Sequence, residues 1–147
     1  MFHRRQYHWP MKIRELERAD ASSAATLWTQ AGLTRPWNDP EADFQRALSG
    51  MTSSVLGLKH DNELVGSVMV GYDGHRGWVY YLAVAEDHQG KGIGSELMRT
   101  AEEWLRERGA VKVQLMVRSQ NELVLSFYEK VGYVISDVKV LSRWLEG

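Results

Sequence analysis

The segment Gln89-Gly90-Lys91-Gly92-Ile93-Gly94-Ser95 joins a strand-like run, Trp78 to Val84, to a helix-like run. Three glycines in alternation leave the peptide N–H groups at a helix N-terminus uncovered. Those orphan donors and the positive end of the helix dipole favour a bound anion, a phosphate or pyrophosphate. Lys91 either adds a cation beside that anion or is a solvated loop lysine. The letters narrow the owner of the phosphate. A dinucleotide fingerprint calls for a glycine where Ser95 stands. A Walker loop calls for Ser or Thr after Lys91, and Gly92 follows instead. A kinase would carry Asp-Phe-Gly and a catalytic-loop Asp, and neither motif is present. Taken alone, such a turn can also be a mere tight strand-to-helix connection.

Asn121 and Tyr128 are the second place with chemical capacity. Seven apart on an expected helix, they project from nearly one face, separated by roughly 10 Å of rise. From the residues alone, Asn121 is an N-cap and Tyr128 a core aromatic, or both reach a ligand. Cysteine is absent, which removes disulfides, thiolate zinc sites and a cysteine nucleophile. His60, His75 and His88 lack metal-ligand spacing, so no metal is expected.

The elements needed to position these groups follow from periodicity. Lys12 to Leu16 reads as a short strand. Asp20 caps a helix bearing Ala24, Leu27, Trp28 and Ala31 on one face, and Gly32 stops it. Pro40 opens a short helix to about Ser49. Ser54 to His60 and Leu64 to Tyr72 read as strands joined by a hairpin at Asp61-Asn62-Glu63. A second turn, Asp73 to Gly77, leads into the 78–84 strand. After the glycine segment, Ile93, Leu97, Ala101, Trp104 and Leu105 form one apolar stripe up to Gly109. Val111 to Val117 reads as an interior strand, Asn121 starts a helix stopped by Gly132, and 133–144 alternates enough for one or two closing strands. A meander followed by a helical crossover is a mixed α/β sheet.

The chain has 147 residues, enough for one domain with a sound core. We expect a single domain over residues 11–147 behind a loose extension, residues 1–10, which is polar and aromatic without the apolar core of a signal peptide. The 18 Lys and Arg residues nearly balance 19 Asp and Glu residues without a basic block, which disfavours a nucleic-acid partner. No apolar run approaches the ~20 residues of a membrane span. The expectation is a cytoplasmic protein with no membrane partner.

The glycine segment resembles the Gln/Arg-x-x-Gly-x-Gly/Ala pyrophosphate loop of the GNAT superfamily of acyl-CoA-dependent N-acyltransferases. Val117-Arg118-Ser119-Gln120-Asn121 followed by Phe127-Tyr128-Glu129-Lys130-Val131-Gly132-Tyr133 resembles its second signature, an Asn, a Tyr seven later, then Gly and an aromatic. Order, spacing and the intervening strand agree, over about Met11 to Leu145. Arg35 to Pro40 and Gly71 to Gly77 look similar to the bacterial YpeA-like subgroup.

The resemblance implies a GNAT-like fold with about four helices and an N-acetyltransferase that moves an acetyl group from acetyl-CoA to a primary amine. With no cysteine, direct attack in a ternary complex is the simplest scheme. The resemblance gives main-chain groups of Leu82, Ala83 and Val84 to the pantetheine. Gln89, Gly90, Lys91, Gly92, Ile93, Gly94 and Ser95 go to the pyrophosphate, and Asn121 to a cofactor contact. Tyr128 becomes the general acid for the departing thiolate. Some relatives that acetylate protein N-termini carry a Glu where this chain has Met116, so the base must lie elsewhere. Asp73, His75, Tyr80, Tyr81 and Glu86 are candidates, with none assigned. A weak base favours an acceptor nitrogen of low pKa, an α-amine over a lysine. Arg35, Trp37 and Asp39, with Asp73 and His75, are candidate acceptor contacts in a small-molecule or peptide amine site; the 35–40 loop is alternatively a rigid corner. A non-catalytic acyl-CoA-binding or sensing protein is the alternative function, and a homodimer through the last strand is an analogy only.

Overall fold

The computed structural model describes residues 11–146, so the extension expected over residues 1–10 lies outside the described residues. They form two compact units, residues 11–116 and 117–146. The first holds a five-stranded sheet in chain order: β1 (Arg14–Glu15), β2 (Ser53–His60), β3 (Glu63–Tyr72), β4 (Gly77–Val84) and β5 (Val113–Gln114). β1 to β4 pair antiparallel and β5 adds parallel to β4. Three α-helices belong to this unit, α1 (Ala21–Gln30), α2 (Pro40–Ser49) and α3 (Ile93–Glu107). This is the mixed α/β architecture that the motifs imply.

Local chemistry explains the turns. His60 pairs with Glu63, leaving Asp61 and Asn62 as a two-residue loop, both left-handed at φ 51° and 66°. Asp and Asn tolerate that region, and such a turn matches the twist of a hairpin. At the start of α2, the Asp39 side chain accepts from the Ala42 N–H at 3.1 Å and Pro40 occupies the first turn.

One face of the sheet carries α1 and α2. Trp28, Phe44 and Val55 are fully buried there, with Trp28 and Phe44 centroids 6.1 Å apart. The Trp28 indole N–H donates to Ser67 Oγ at 2.9 Å, so a buried polar pair is satisfied. α3 covers the opposite face with Ile93, Leu97, Met98, Ala101 and Leu105, each at most 1 % exposed. It lies so close that a Cβ on Gly66 would fall 2.9 Å from Ile93 Cγ2. No helix among the described residues is long and apolar enough to cross a membrane.

Two expectations are corrected. The strand expected over Val111 to Val117 forms a ladder only at Val113–Gln114, at the end of the sheet order, and Val111 is 85 % exposed, so it is an edge and not an interior strand. No strand is formed over 133–146, where the backbone bonds are local, Tyr133 N–H to Tyr128 and Val138 N–H to Ser136. Alternation prepares a segment for a sheet, but a strand exists only where a neighbour supplies the ladder.

The second unit is built on α4 (Glu122–Lys130). The Asn121 side chain accepts from the Val124 N–H at 3.3 Å and caps it. At the other end Gly132 sits at φ 100°, the Tyr133 N–H reaches the Tyr128 carbonyl at 3.0 Å and the Gly132 N–H that of Glu129 at 3.1 Å. These are the two bonds of a Schellman cap, which needs a left-handed residue at this position. The Gly-aromatic end of the second signature is therefore a helix stop. Tyr133 closes it by packing edge-on against Tyr128, 5.8 Å between centroids.

Candidate active site

β5 meets β4 only at Gly77–Val113 and Trp78–Gln114. From Val79 to Val84 the outer edge of β4 has no ladder partner among the described residues. Its peptide groups are available to an extended ligand that pairs like a strand. On the inner side the strand bulges: Met69 faces Tyr80 and Ser67 faces Ala83, so Tyr81 and Leu82 together oppose Val68. Tyr81 takes φ 54°, a costly conformation for an aromatic residue. Its ring is locked by a parallel stack on Trp28, 4.1 Å between centroids at 6°, and its hydroxyl donates to Asp43 Oδ2 at 2.7 Å. Of the residues that hold this bulge, Asp43 and Ser67 carry no signal in the sequence, and Trp28 reads there only as part of an apolar helix face. The one visible signal of the bulge is the Tyr80-Tyr81 pair, which breaks the alternation of β4.

Electrostatics sorts the base candidates. Burial, then the hydrogen bond and charge of Asp43, push the Tyr81 phenol far up. Burial, then the charge of Asp73, also raises Tyr80. Both stay protonated and neither suits the role of proton acceptor. The Asp73 carboxyl is held below its usual range by the N–H groups of Arg76 and His75, and it also accepts from the Trp78 indole. It is a poor base and a durable negative charge. Glu86 lies in a single 3-10 turn, 86–88, and Met116 offers no acceptor for a proton.

The glycine segment has the backbone expected of an anion cradle. Gly90 and Gly92 are left-handed at φ 78° and 83°, and Gly92 occupies the cap position of α3 with no side chain capping it. A Cβ built on either glycine meets nothing within 4 Å, so the space beside them is open. The first N–H groups of α3, at Ile93, Gly94 and Ser95, have no acceptor within the helix. Ile93 is 1 % exposed, so it is buried as a whole and anchors the start of α3 against the sheet, whereas Ser95 is exposed. The Gln89 amide donates to the Val84 carbonyl at 3.1 Å and braces the segment against the end of β4. Leu82 and Val84 are half-buried, and Ala83 belongs to the core.

In the second unit, Asn121 and Tyr128 stand at opposite ends of α4. Tyr128 is 8 % exposed, edge-on to Phe127 at 5.1 Å, and burial pushes its phenol up to about 12. Among the candidate acceptor contacts, Arg35 donates to the carbonyls of Gly32 and Thr34 at 3.0 and 3.1 Å, while Asp39 caps α2. Both spend polar groups on the corner they form, whereas Trp37 is 60 % exposed. His75 is exposed in the 73–76 turn.

Residues 13–133 match the Acetyltransferase (GNAT) family. An acetyltransferase of Pectobacterium atrosepticum is 44 % identical over 135 residues, covering 92 % of this chain and 96 % of that protein. Another, of Sodalis glossinidius, is 44 % identical over 131 residues, covering 89 % and 92 %. Among solved structures, AAC(6')-Iy in complex with the bisubstrate analog CoA-S-monomethyl-acetylneamine aligns with a TM-score of 0.78 at 14 % identity, over 91 % of this chain and 97 % of that one.

Proposed function

Because the chain belongs to the GNAT acetyltransferase family, we propose that it transfers an acetyl group from acetyl-CoA to a primary amine, with both substrates bound together. The observation that carries this reading is the open cradle at Gly90 and Gly92 directly after a β4 edge without a ladder partner. A pantetheine arm pairs with such an edge and a pyrophosphate suits N–H groups at the start of α3 that lack an acceptor within the helix. The complex of AAC(6')-Iy with a CoA-based bisubstrate analog, in a protein of the same fold, supports a CoA cosubstrate. The matched region, 13–133, runs through both compact units, which supports one catalytic domain over residues 11–147.

Bound acetyl-CoA would supply a thioester whose carbonyl carbon an amine can attack. The protein's part is then to hold, orient and move protons. Main-chain groups of Leu82, Ala83 and Val84 hold the arm. The backbone from Gly90 to Ser95 holds the diphosphate, aided by Lys91. Asn121 caps α4 and so sets the start of the helix that carries Tyr128. Tyr128 keeps a proton on its hydroxyl for the departing sulfur. A phenol near 12 is a weaker acid than a thiol near 8.5, so Tyr128 acts by donating a hydrogen bond that strengthens as charge grows on sulfur, and full transfer of its proton to the thiolate is uphill. Asp73, Tyr80 and Tyr81 being poor bases, the amine gives its proton to water, His75 or Glu86, which suits an acceptor nitrogen of low pKa.

The test is thiol release from acetyl-CoA across a panel of amines. Tyr128→Phe lowers kcat about a hundredfold and leaves the KM for acetyl-CoA within about twofold. Binding of acetyl-CoA without turnover of any amine would instead identify a non-catalytic acyl-CoA-binding protein, a reading that the exposed Met116 keeps in view.

A further inference from the structure

One group of side chains on β4 is not used by the reading above. Trp78 pairs with Gly71 and Tyr80 with Met69, on the sheet face that Met69 shares with the α1–α2 core. Their rings lie nearly parallel, at 18° with centroids 6.5 Å apart, and Tyr80 is 42 % exposed. Gly71 offers no side chain to cover Trp78. Its β2 partner, Ser53, is tied to α2 through the Ala47 carbonyl at 2.8 Å.

Asp73 stands beside this aromatic shelf. Its Oδ1 accepts from the N–H groups of His75 and Arg76 at 2.8 and 2.7 Å, and its Oδ2 accepts from the Trp78 indole at 3.2 Å. The carboxylate is therefore fixed in orientation. None of the ion pairs among the described residues includes it, although His75 in the same turn bears on it electrostatically. Two aromatic rings with an adjoining carboxylate that enters none of those ion pairs are complementary to a cation.

We propose that Trp78, Tyr80 and Asp73 hold a positive charge of the acceptor that is distinct from the nitrogen acetylated, so that the substrate is an amine bearing a second cationic group. The inference rests on the acetyltransferase reading and names its substrate class. Proton balance makes the charge a second one. In the transfer, a nitrogen lone pair forms the N–C bond, the C–S bond breaks, one proton leaves nitrogen and one ends on sulfur. A nitrogen held against Asp73 and two ring faces is stabilised in its protonated form, which has no lone pair. The attacking nitrogen must lie elsewhere in the same molecule, and the shelf anchors the charge that remains. A quaternary ammonium or a guanidinium meets both features, since either presents a broad, weakly hydrated cation to the rings.

The experiment compares (2-aminoethyl)trimethylammonium with its neutral isostere 3,3-dimethylbutylamine. The readout is the ratio of kcat/KM for the two, which cancels general damage to the enzyme. Asp73→Asn and Tyr80→Leu are each expected to reduce that ratio about tenfold. Tyr80→Leu covers the case in which Asp73→Asn disturbs the turn. Calorimetric titration with (2-aminoethyl)trimethylammonium should show affinity about tenfold weaker in both variants than in the native chain. Unchanged ratios in both variants, or no binding of this probe to the native chain, overturn the proposal. If neither amine is acetylated, the acetyltransferase reading is in question on its own, and the titration still decides the shelf.

Discussion

Burial pushes the Tyr128 phenol up to about 12, well above the ordinary value of about 10, and this has two separable consequences. A general acid must be protonated to act, so its contribution is present below its pKa and lost above it. The rate should therefore show no Tyr128-dependent fall on the alkaline side below about pH 11. Native and Tyr128→Phe pH profiles should stay parallel up to that point; a fall near pH 9 in the native enzyme alone would count against the assigned role. The second consequence is for stability. The folded pKa lies above the unfolded one, so the contribution is complete below pH 10 and disappears as pH rises through 12. Spectrophotometric titration should find a late-ionising tyrosine that Tyr128→Phe removes. At this scale the sequence carries the type of each group but not its neighbours. Asp73 before Gly74 reads as a turn former and is one. That its second oxygen takes the indole of Trp78 depends on a ring five residues away, invisible to local reading.

α3 begins at a left-handed Gly92 and ends before Gly109, itself at φ 93°, so the same strain can be introduced at either end. An alanine in this region costs about 1 kcal/mol. Gly92→Ala is expected to raise the KM for acetyl-CoA about five- to tenfold, because relieving the strain turns the cradle N–H groups away. Gly109→Ala should lower the melting temperature comparably and leave that KM unchanged. If both substitutions move the KM equally, the start of α3 has no special part in binding. The helices, the hairpin at Asp61 and Asn62, and both glycine signatures were legible because each is decided within a few residues. Strand content after Val111 was not. A ladder needs a second edge, and the apolar letters of 133–144 are identical whether or not one is present. The Tyr81 bulge is hidden for the same reason. Its lock joins Trp28, Asp43 and Tyr81 from three elements, and the doubled tyrosine alone hints at it.

For the whole chain, the question is whether the two compact units answer as one to the expected cosubstrate. A ligand that binds only the folded state stabilises it by about 2.7 kcal/mol at a hundred times its Kd. With an unfolding entropy near 2.1 cal/mol/K per residue, a chain of 147 residues should melt about 9 °C higher under those conditions. If residues 11–147 are one catalytic domain, thermal unfolding is a single transition and acetyl-CoA shifts all of it. If the glycine cradle acts with an arm-binding β4 edge, acetyl-CoA must outperform ATP and NAD, which carry phosphates but no pantetheine. The expected order is a shift of several degrees with acetyl-CoA and about 1 °C or less with equimolar ATP or NAD. Equal shifts with all three would reduce the glycine segment to a general phosphate grip. Two transitions, with one unmoved by acetyl-CoA, would separate the α4 unit from cosubstrate binding and with it the case for Tyr128 as the acid. The outcome therefore tests the pairing of the two signatures, which neither motif can establish alone.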